Sequence, residues 1–324
     1  MGCVRLSRAC LVLVALASLA GLPAFAGPTY TLFTDPPGGS GTTVRFGIND
    51  AGDYVGSYLN SGLYYGFMHT ASGFSSITGS HPTGINSSND VTGYTWATSG
   101  YQGFIVQSGV YSPLQHPGSS STVAYGINGS DEVVGYYVDG SGVTHGFTET
   151  AGVYSDVDVP GAVATYVLGV NDAGDLVGSY FDGTDTHAFV DRGGSISIID
   201  YPGAVSTYAA SINTAGDIVG WYTTCAGCAQ IGFIRNAGGD YTSIAPLPGI
   251  PTYLTGINDS DQIMVAVLGG SYNPGIFGTN FGFLLGDGFT PTPVPKIPEP
   301  GTQALMAAGG LVLLALGRLR RRLS

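Results

Sequence analysis

Basic residues are scarce in this chain: 324 residues hold 10 lysines and arginines, and Lys296 is the only lysine. Charge of either sign is low, 10% of residues where about 25% is usual in a soluble domain. So few cations argue against a surface built to neutralise phosphate, and nucleic acid is not an expected partner. A convincing 3.6-residue period of apolar side chains is missing from residues 27–296, so no amphipathic helix is expected there. Of four cysteines, Cys3 and Cys10 lie near the amino end, leaving Cys225 and Cys228 for the rest. What is plentiful is glycine, 53 residues, with tyrosine at 20 and hydrophobic residues at 44%. That hydrophobic content excludes disorder, and the absence of a three-residue glycine period excludes collagen. Gly, Tyr, Val, Ser and Thr in place of Lys and Glu predict an all-β chain with many turns.

Charge is also unevenly placed. Residues 27–290 carry three arginines (Arg45, Arg192, Arg235) against 21 acids, a balance of −18, whereas the whole chain stands at −12. The compensating cations lie at the two ends. Arg5 and Arg8 precede an apolar run, Ala9–Leu22, and the small-x-small site Ala24-Phe25-Ala26 before Gly27. This is the layout of a secretory signal peptide over residues 1–26, cut between Ala26 and Gly27 by signal peptidase. At the other end, residues 291–300 form a proline-rich linker unsuited to strand or helix. Residues 301–324 then give an apolar segment and the cluster Arg318–Arg322. An apolar stretch of about 17 residues is the lower limit for a membrane helix, and the arginines set its cytoplasmic end.

Pro298-Glu299-Pro300, the apolar helix and Arg318-Leu319-Arg320-Arg321-Arg322 together resemble the PEP-CTERM sorting signal. The resemblance implies an exosortase that recognises Pro298, Glu299 and Pro300 and removes the tail. The chain would then be anchored transiently in the inner membrane before release to the cell surface or an exopolysaccharide matrix.

Between the ends the sequence repeats. Gly-Ile-Asn or a variant ends at Asn49, Asn86, Asn128, Asn171, Asn213 and Asn258, at intervals of 37, 42, 43, 42 and 45 residues. A polar turn follows each, such as Asp172-Ala173-Gly174-Asp175, then a β-run such as Val133–Val138, then a Gly/Ala-Phe pair such as Gly146-Phe147. Most units close on Pro-Gly. Four short antiparallel strands per ~40–45 residues match a propeller blade, so residues 27–290 are expected to form a six-bladed β-propeller. An open β-solenoid is the alternative. The last unit lacks its Pro-Gly strand, and Tyr30–Thr34 with Asp35-Pro36-Pro37-Gly38 supplies one, which predicts closure by the N-terminal strand. The first unit is short before Gly84, so a short outer strand is expected there. His187-Ala188-Phe189 also resembles the signature of the HAF family of extracellular repeats, which implies an exported repeat protein and carries no catalytic residues with it.

Candidate chemistry has to be separated from this repetition. Asp50, Asp53, Asp172 and Asp175 could offer oxygens to calcium, but Asn-Asp-x-Gly is also what a tight hairpin needs. Cys225-Ala226-Gly227-Cys228, in an exported chain, predicts a local disulfide. His145 and His187 stand at equivalent positions, so repetition explains them. Tyr58, Tyr136, Tyr137, Tyr180 and Tyr222 could stack on sugars or pack within strands, and packing is the expectation. The turn reading is the expectation and calcium the alternative; no catalytic residue and no cofactor is expected. The functional expectation is a non-enzymatic surface or matrix protein associated with exopolysaccharide; the alternative is a propeller enzyme acting on extracellular polysaccharide.

Overall fold

The computed structural model describes residues 30–32, 36–37, 43–61, 63–77, 79–97, 100–245, 249–268 and 280–285. The expected signal peptide with Ala26 and Gly27, the sorting motif Pro298-Glu299-Pro300 and the C-terminal helix lie outside them. The described residues are all-β, with no helix.

Strand β1 is Tyr30–Leu32. The first meander is β2–β5: Val44–Ile48, Tyr54–Asn60, Leu63–Thr70 and Gly73–Ile77. The second is β6–β9: His81–Ile85, Val91–Ala97, Gly100–Gln107 and Val110–Leu114. The third is β10–β13: Ser121–Ile127, Val133–Val138, Thr144–Thr150 and Val153–Val157. The fourth is β14–β17: Ala164–Val170, Leu176–Phe181, Thr186–Arg192 and Ser195–Ile198. The fifth is β18–β21: Ser206–Ile212, Ile218–Thr223, Ile231–Arg235 and Tyr241–Ile244. Finally β22 (Thr252–Ile257), β23 (Ile263–Leu268) and β24 (Asn280–Leu285) form a sheet completed by β1. There Tyr30 pairs with Leu285 and Leu32 with Phe283, antiparallel, so the N-terminal strand does join the last sheet. A parallel bridge, Thr144 to Ala164, fuses the third and fourth meanders into one eight-stranded sheet.

Within a meander, glycine on the second strand faces phenylalanine on the third. Gly135 pairs with Phe147, Gly178 with Phe189 and Gly220 with Phe233. A Cβ on Gly220 would run into the Tyr208 carbonyl oxygen and lie 3.0 Å from the Phe233 ring. The missing side chain is therefore what lets each phenylalanine lie flat and fully buried. Hydrophobic burial is divided among neighbouring sheets. One cluster joins Val134, Val167 and Phe189, another Ala188, Ala209, Ile218 and Phe233, and another Val219, Leu254 and Val265. Met264 packs on Ile48, Tyr54 and Phe67, linking the last sheet to the first. Sheets that contact only their neighbours and return on the first are the arrangement of a β-propeller.

The Gly-Ile-Asn tripeptide runs along the axis of this ring. Every innermost strand carries a register shift just before or within it, as between Ala124 and Gly126 or Val167 and Gly169. Innermost strands approach so closely that a Cβ on Gly84 would meet the Tyr125 carbonyl at 2.7 Å. The short outer strand expected in the first meander is not found. β5 has five residues, as β9 and β13 do. The deletion falls instead in the connection from β5 to β6, where residues 78–80 replace the six of 115–120.

Candidate functional site

Two ends of the ring differ in what they present. Turns between first and second strands, and between third and fourth, lie at one end. Hairpins between second and third strands lie at the other, with the loops that enter the next meander.

At the first end the axis is closed by an asparagine network. The Asn171 Oδ1 accepts hydrogen bonds from the Ala173 and Asp175 amides at 3.1 and 2.9 Å, and its Nδ2 donates to the Asn213 carbonyl at 3.0 Å. Asn49 donates likewise to the Asn86 carbonyl, Asn86 to Asn128 and Asn128 to Asn171. Asn258 donates to the Asn49 carbonyl at 2.8 Å, which joins the end of the series to its start. Positive φ falls three residues after each asparagine, at Gly52, Asn89, Asp131, Gly174, Gly216 and Asp261. The asparagines are thus ties between meanders as well as turn residues. Ile48, Ile85, Ile127, Val170, Ile212 and Ile257 lie between the cavity at this end, about 70 Å³, and one of about 80 Å³ beyond. Either holds a few waters, not a sugar.

The structure does not gather the candidate calcium ligands. Asp50 accepts from Ser87 Oγ and the Asp259 amide, both at 2.9 Å. Asp172 accepts from the Gly129 amide at 2.7 Å. Asp175 pairs with Arg192 Nε at 3.1 Å, while the Asp53 amide donates to the Asn49 Oδ1. Among the described residues no group of three His, Cys, Asp or Glu side chains could hold a metal. Cys225 and Cys228 form a disulfide with their Cα atoms 5.3 Å apart.

At the second end, histidines clamp hairpins to loops. His145 Nδ1 meets Asp158 at 2.8 Å and its Nε2 faces Asp139 at 3.7 Å. His187 repeats this with Asp200 at 2.7 Å and Asp182 at 3.4 Å. The hydrogen bonds that the imidazoles donate to Asp158 and Asp200 hold both above their usual range, against a smaller opposing effect of burial. Backbone amides of Val143 and Asp185 hold Asp139 and Asp182 below theirs. His116 stacks on Tyr137 with centroids 3.6 Å apart, and Tyr201 stacks on Tyr222 at 3.7 Å. Burial first, then the hydrogen bond to Asp156, pushes the Tyr137 phenol up to about 12. Tyr136 packs edge-on to Tyr166 and Tyr58 stacks on Tyr65. The repeated tyrosines are engaged in packing. His145 and His187 share one spacing, 13 residues to their aspartates, and that repeated offset could have marked the pairs in the sequence.

One cluster at this end escaped sequence reasoning. His81, 2% exposed, lies against Tyr94 (5.1 Å, stacked), Trp96 (4.2 Å, perpendicular) and Tyr64 (4.6 Å). Tyr101 packs edge-on to Tyr94 at 5.1 Å. Trp96 is 51% exposed and Tyr101 38%. His81 Nδ1 is 3.1 Å from Ser57 Oγ, while Nε2 is buried with no hydrogen-bond partner among the described residues. Burial lowers the His81 imidazole to about 4.

No protein-family model and no curated protein matches this sequence. Solved structures share the fold. A TolB from Acinetobacter baumannii superposes with a TM-score of 0.50 at 11% identity, covering 74% of this chain and 69% of that one. A protein described as a putative gluconolactonase gives 0.49 at 13% identity, over 81% and 93%. A lectin from Aleuria aurantia, solved with a fucose-containing disaccharide, gives 0.44 at 13% identity, over 64% and 79%. At such identities the likeness concerns the fold alone.

Proposed function

We propose that this chain is an exported six-bladed propeller that binds extracellular polysaccharide without cutting it, at the end formed by the hairpins and inter-meander loops. The carrying observation is the apolar surface there. Leu63, Trp96, Tyr101, Val143, Val163 and Val205 are all exposed and come from hairpins or loops of that one end. A pyranose ring has apolar C–H faces that such side chains can cover, while its hydroxyls reach polar neighbours. Catalysis is less well supported. Both nitrogens of His145 and of His187 face carboxylates, so neither imidazole has a nitrogen turned to a substrate as a general base would. The acids at the other end accept from backbone amides and neighbouring side chains.

The route outward in this reading is cleavage between Ala26 and Gly27, transient anchoring by residues 301–324, and exosortase processing at Pro298-Glu299-Pro300. Co-sedimentation with the producing cell's own purified polysaccharide tests binding; an unbound protein across the accessible salt range refutes it. Replacing residues 298–300 with alanine tests sorting. Retention in the inner membrane is expected, and unchanged release would discard the sorting step.

A further inference from the structure

Building on the polysaccharide-binding reading, we infer that the seam between the first two meanders holds a binding site for one neutral hexopyranose unit, walled by Tyr64, Tyr94, Trp96 and Tyr101 over His81. Three independent features converge on it. The first is exposure: Trp96 sits half in solvent although it touches Tyr64, His81, Tyr94 and Tyr101. Held aromatic rings with one open face are what stacks on the C–H face of a sugar at little cost in side-chain entropy. The second is the orphaned His81 Nε2, because a buried polar atom without a partner costs about 1–3 kcal/mol and a sugar hydroxyl can supply the missing bond.

The third is the deletion before β6. In three other seams a residue before Pro-Gly lies against a tyrosine of the following meander: His116 on Tyr137, Tyr201 on Tyr222, and Val159 in the cluster that includes Tyr180. The connection over residues 78–80 is too short for that corner, and Thr95 stands where the third meander has Tyr137. Among the described residues this seam has no counterpart of the cover that closes those three, and the aromatic cluster occupies that position.

Charge selects the sugar. Residues 27–290 carry −18, so uronate or sulfated chains meet like charge, whereas a neutral hexose chain carries none. Full-length protein titrated calorimetrically with cellohexaose, maltohexaose and mannohexaose should bind at least one. A uronate hexamer should bind at least ten times more weakly. Trp96→Ala and Tyr101→Ala should each weaken the neutral ligand tenfold or more, while Tyr111→Ala, an exposed aromatic on outer strand β9, should leave it unchanged. Neutral binding that survives both site substitutions overturns the site and leaves the polysaccharide reading standing. Binding of none of the hexamers overturns the site too. The wider reading falls only if the producing cell's own polymer is also not retained. A preference for the uronate hexamer refutes the charge argument and with it the proposed ligand class.

Discussion

His81 should make this protein acid-sensitive by an amount that one substitution can isolate. Its imidazole is buried, held at about 4 by loss of water, and surrounded by Ser57, Tyr64, Tyr94 and Trp96. None of these titrates between pH 4 and 7, and none offers a countercharge. In the unfolded chain His81 takes a proton near 6.5. Below that pH the unfolded state holds one proton more than the folded state, so stability falls as pH falls, by about 1.4 kcal/mol per pH unit. The full contribution is present above pH 6.5, and about 3 kcal/mol of it is lost by the time pH reaches 4. That corresponds to about 1 M or more in a urea midpoint.

Carboxylates and the other histidines titrate in the same window, so the quantity to measure is a difference. His81→Tyr is the natural comparison, because Tyr166, Tyr208 and Tyr253 occupy the same place in other meanders. The Ser57 hydrogen bond lost in the variant shifts all its values equally and does not depend on pH. Urea midpoints for both proteins at pH 7, 6, 5 and 4.5 should diverge, the wild type losing stability faster. A constant gap between the two curves would show that His81 is not buried neutral, and the packing described for the seam would be wrong.

Other consequences can be read from single variants. His145 and His187 act in the opposite sense: their raised values mean a contribution present below about 6.5 and lost as pH rises through the folded value. Both side chains are about a quarter exposed, so the effect is screened to roughly 0.5 kcal/mol each, and Asp158→Asn should remove the His145 share from a thermal-denaturation series between pH 6 and 8. Asn171→Ala leaves the Ala173 and Asp175 amides without their acceptor and takes one of two donors from the Asn213 carbonyl, which keeps the Gly216 amide; it should cost about 3 kcal/mol, read as a lower urea midpoint. Gly220→Ala forces Cβ against the Tyr208 carbonyl and the Phe233 ring; about 3 kcal/mol is expected, and a neutral result would refute the glycine–phenylalanine account. Reducing Cys225–Cys228 opens a four-residue loop and should lower stability by about 2 kcal/mol on the loop-entropy model, measured by thermal melts with and without reductant.

Strand runs were legible because each property involved is local. Val133–Val138 and Leu176–Phe181 have the same bounds in sequence and structure, since turn residues and β-branched runs act within a few positions. Closure by Tyr30–Leu32 was legible because the last unit lacked a strand and the N-terminus offered one. Asn171 was read only as part of a turn, because its third hydrogen bond goes to Asn213, 42 residues away. Lateral neighbours in a ring are invisible to a local reading. The deletion in the first unit was assigned to β5, but loop length is what a repeat yields first: the strand keeps its pairing and the surface connection shortens.

Repetition itself explains why the aromatic seam was missed and why it is the place to look. Features that recur through the units are those the ring needs to close: the axial glycine, replaced only by Ser211 in the fifth, the aliphatic plug, the asparagine tie and the glycine–phenylalanine pair, whose glycine gives way to Val265 opposite Phe283 in the last sheet. Such residues are consumed by packing, and their polar atoms are already bonded. A ligand requires the opposite, surface left uncovered and bonding capacity left unused. In this chain both occur where several departures from the repeat meet: His81 at a place where three meanders have tyrosine, Trp96 and Tyr101 on its hairpin, and a connection too short to carry Pro-Gly. A departure that merely tolerated drift would be expected to fill the gap with small or charged residues, since exposed tryptophan is costly to solubility. Here the gap is lined with aromatic rings instead, in a chain that has only two tryptophans, and that choice is what ties the broken repeat to a ligand.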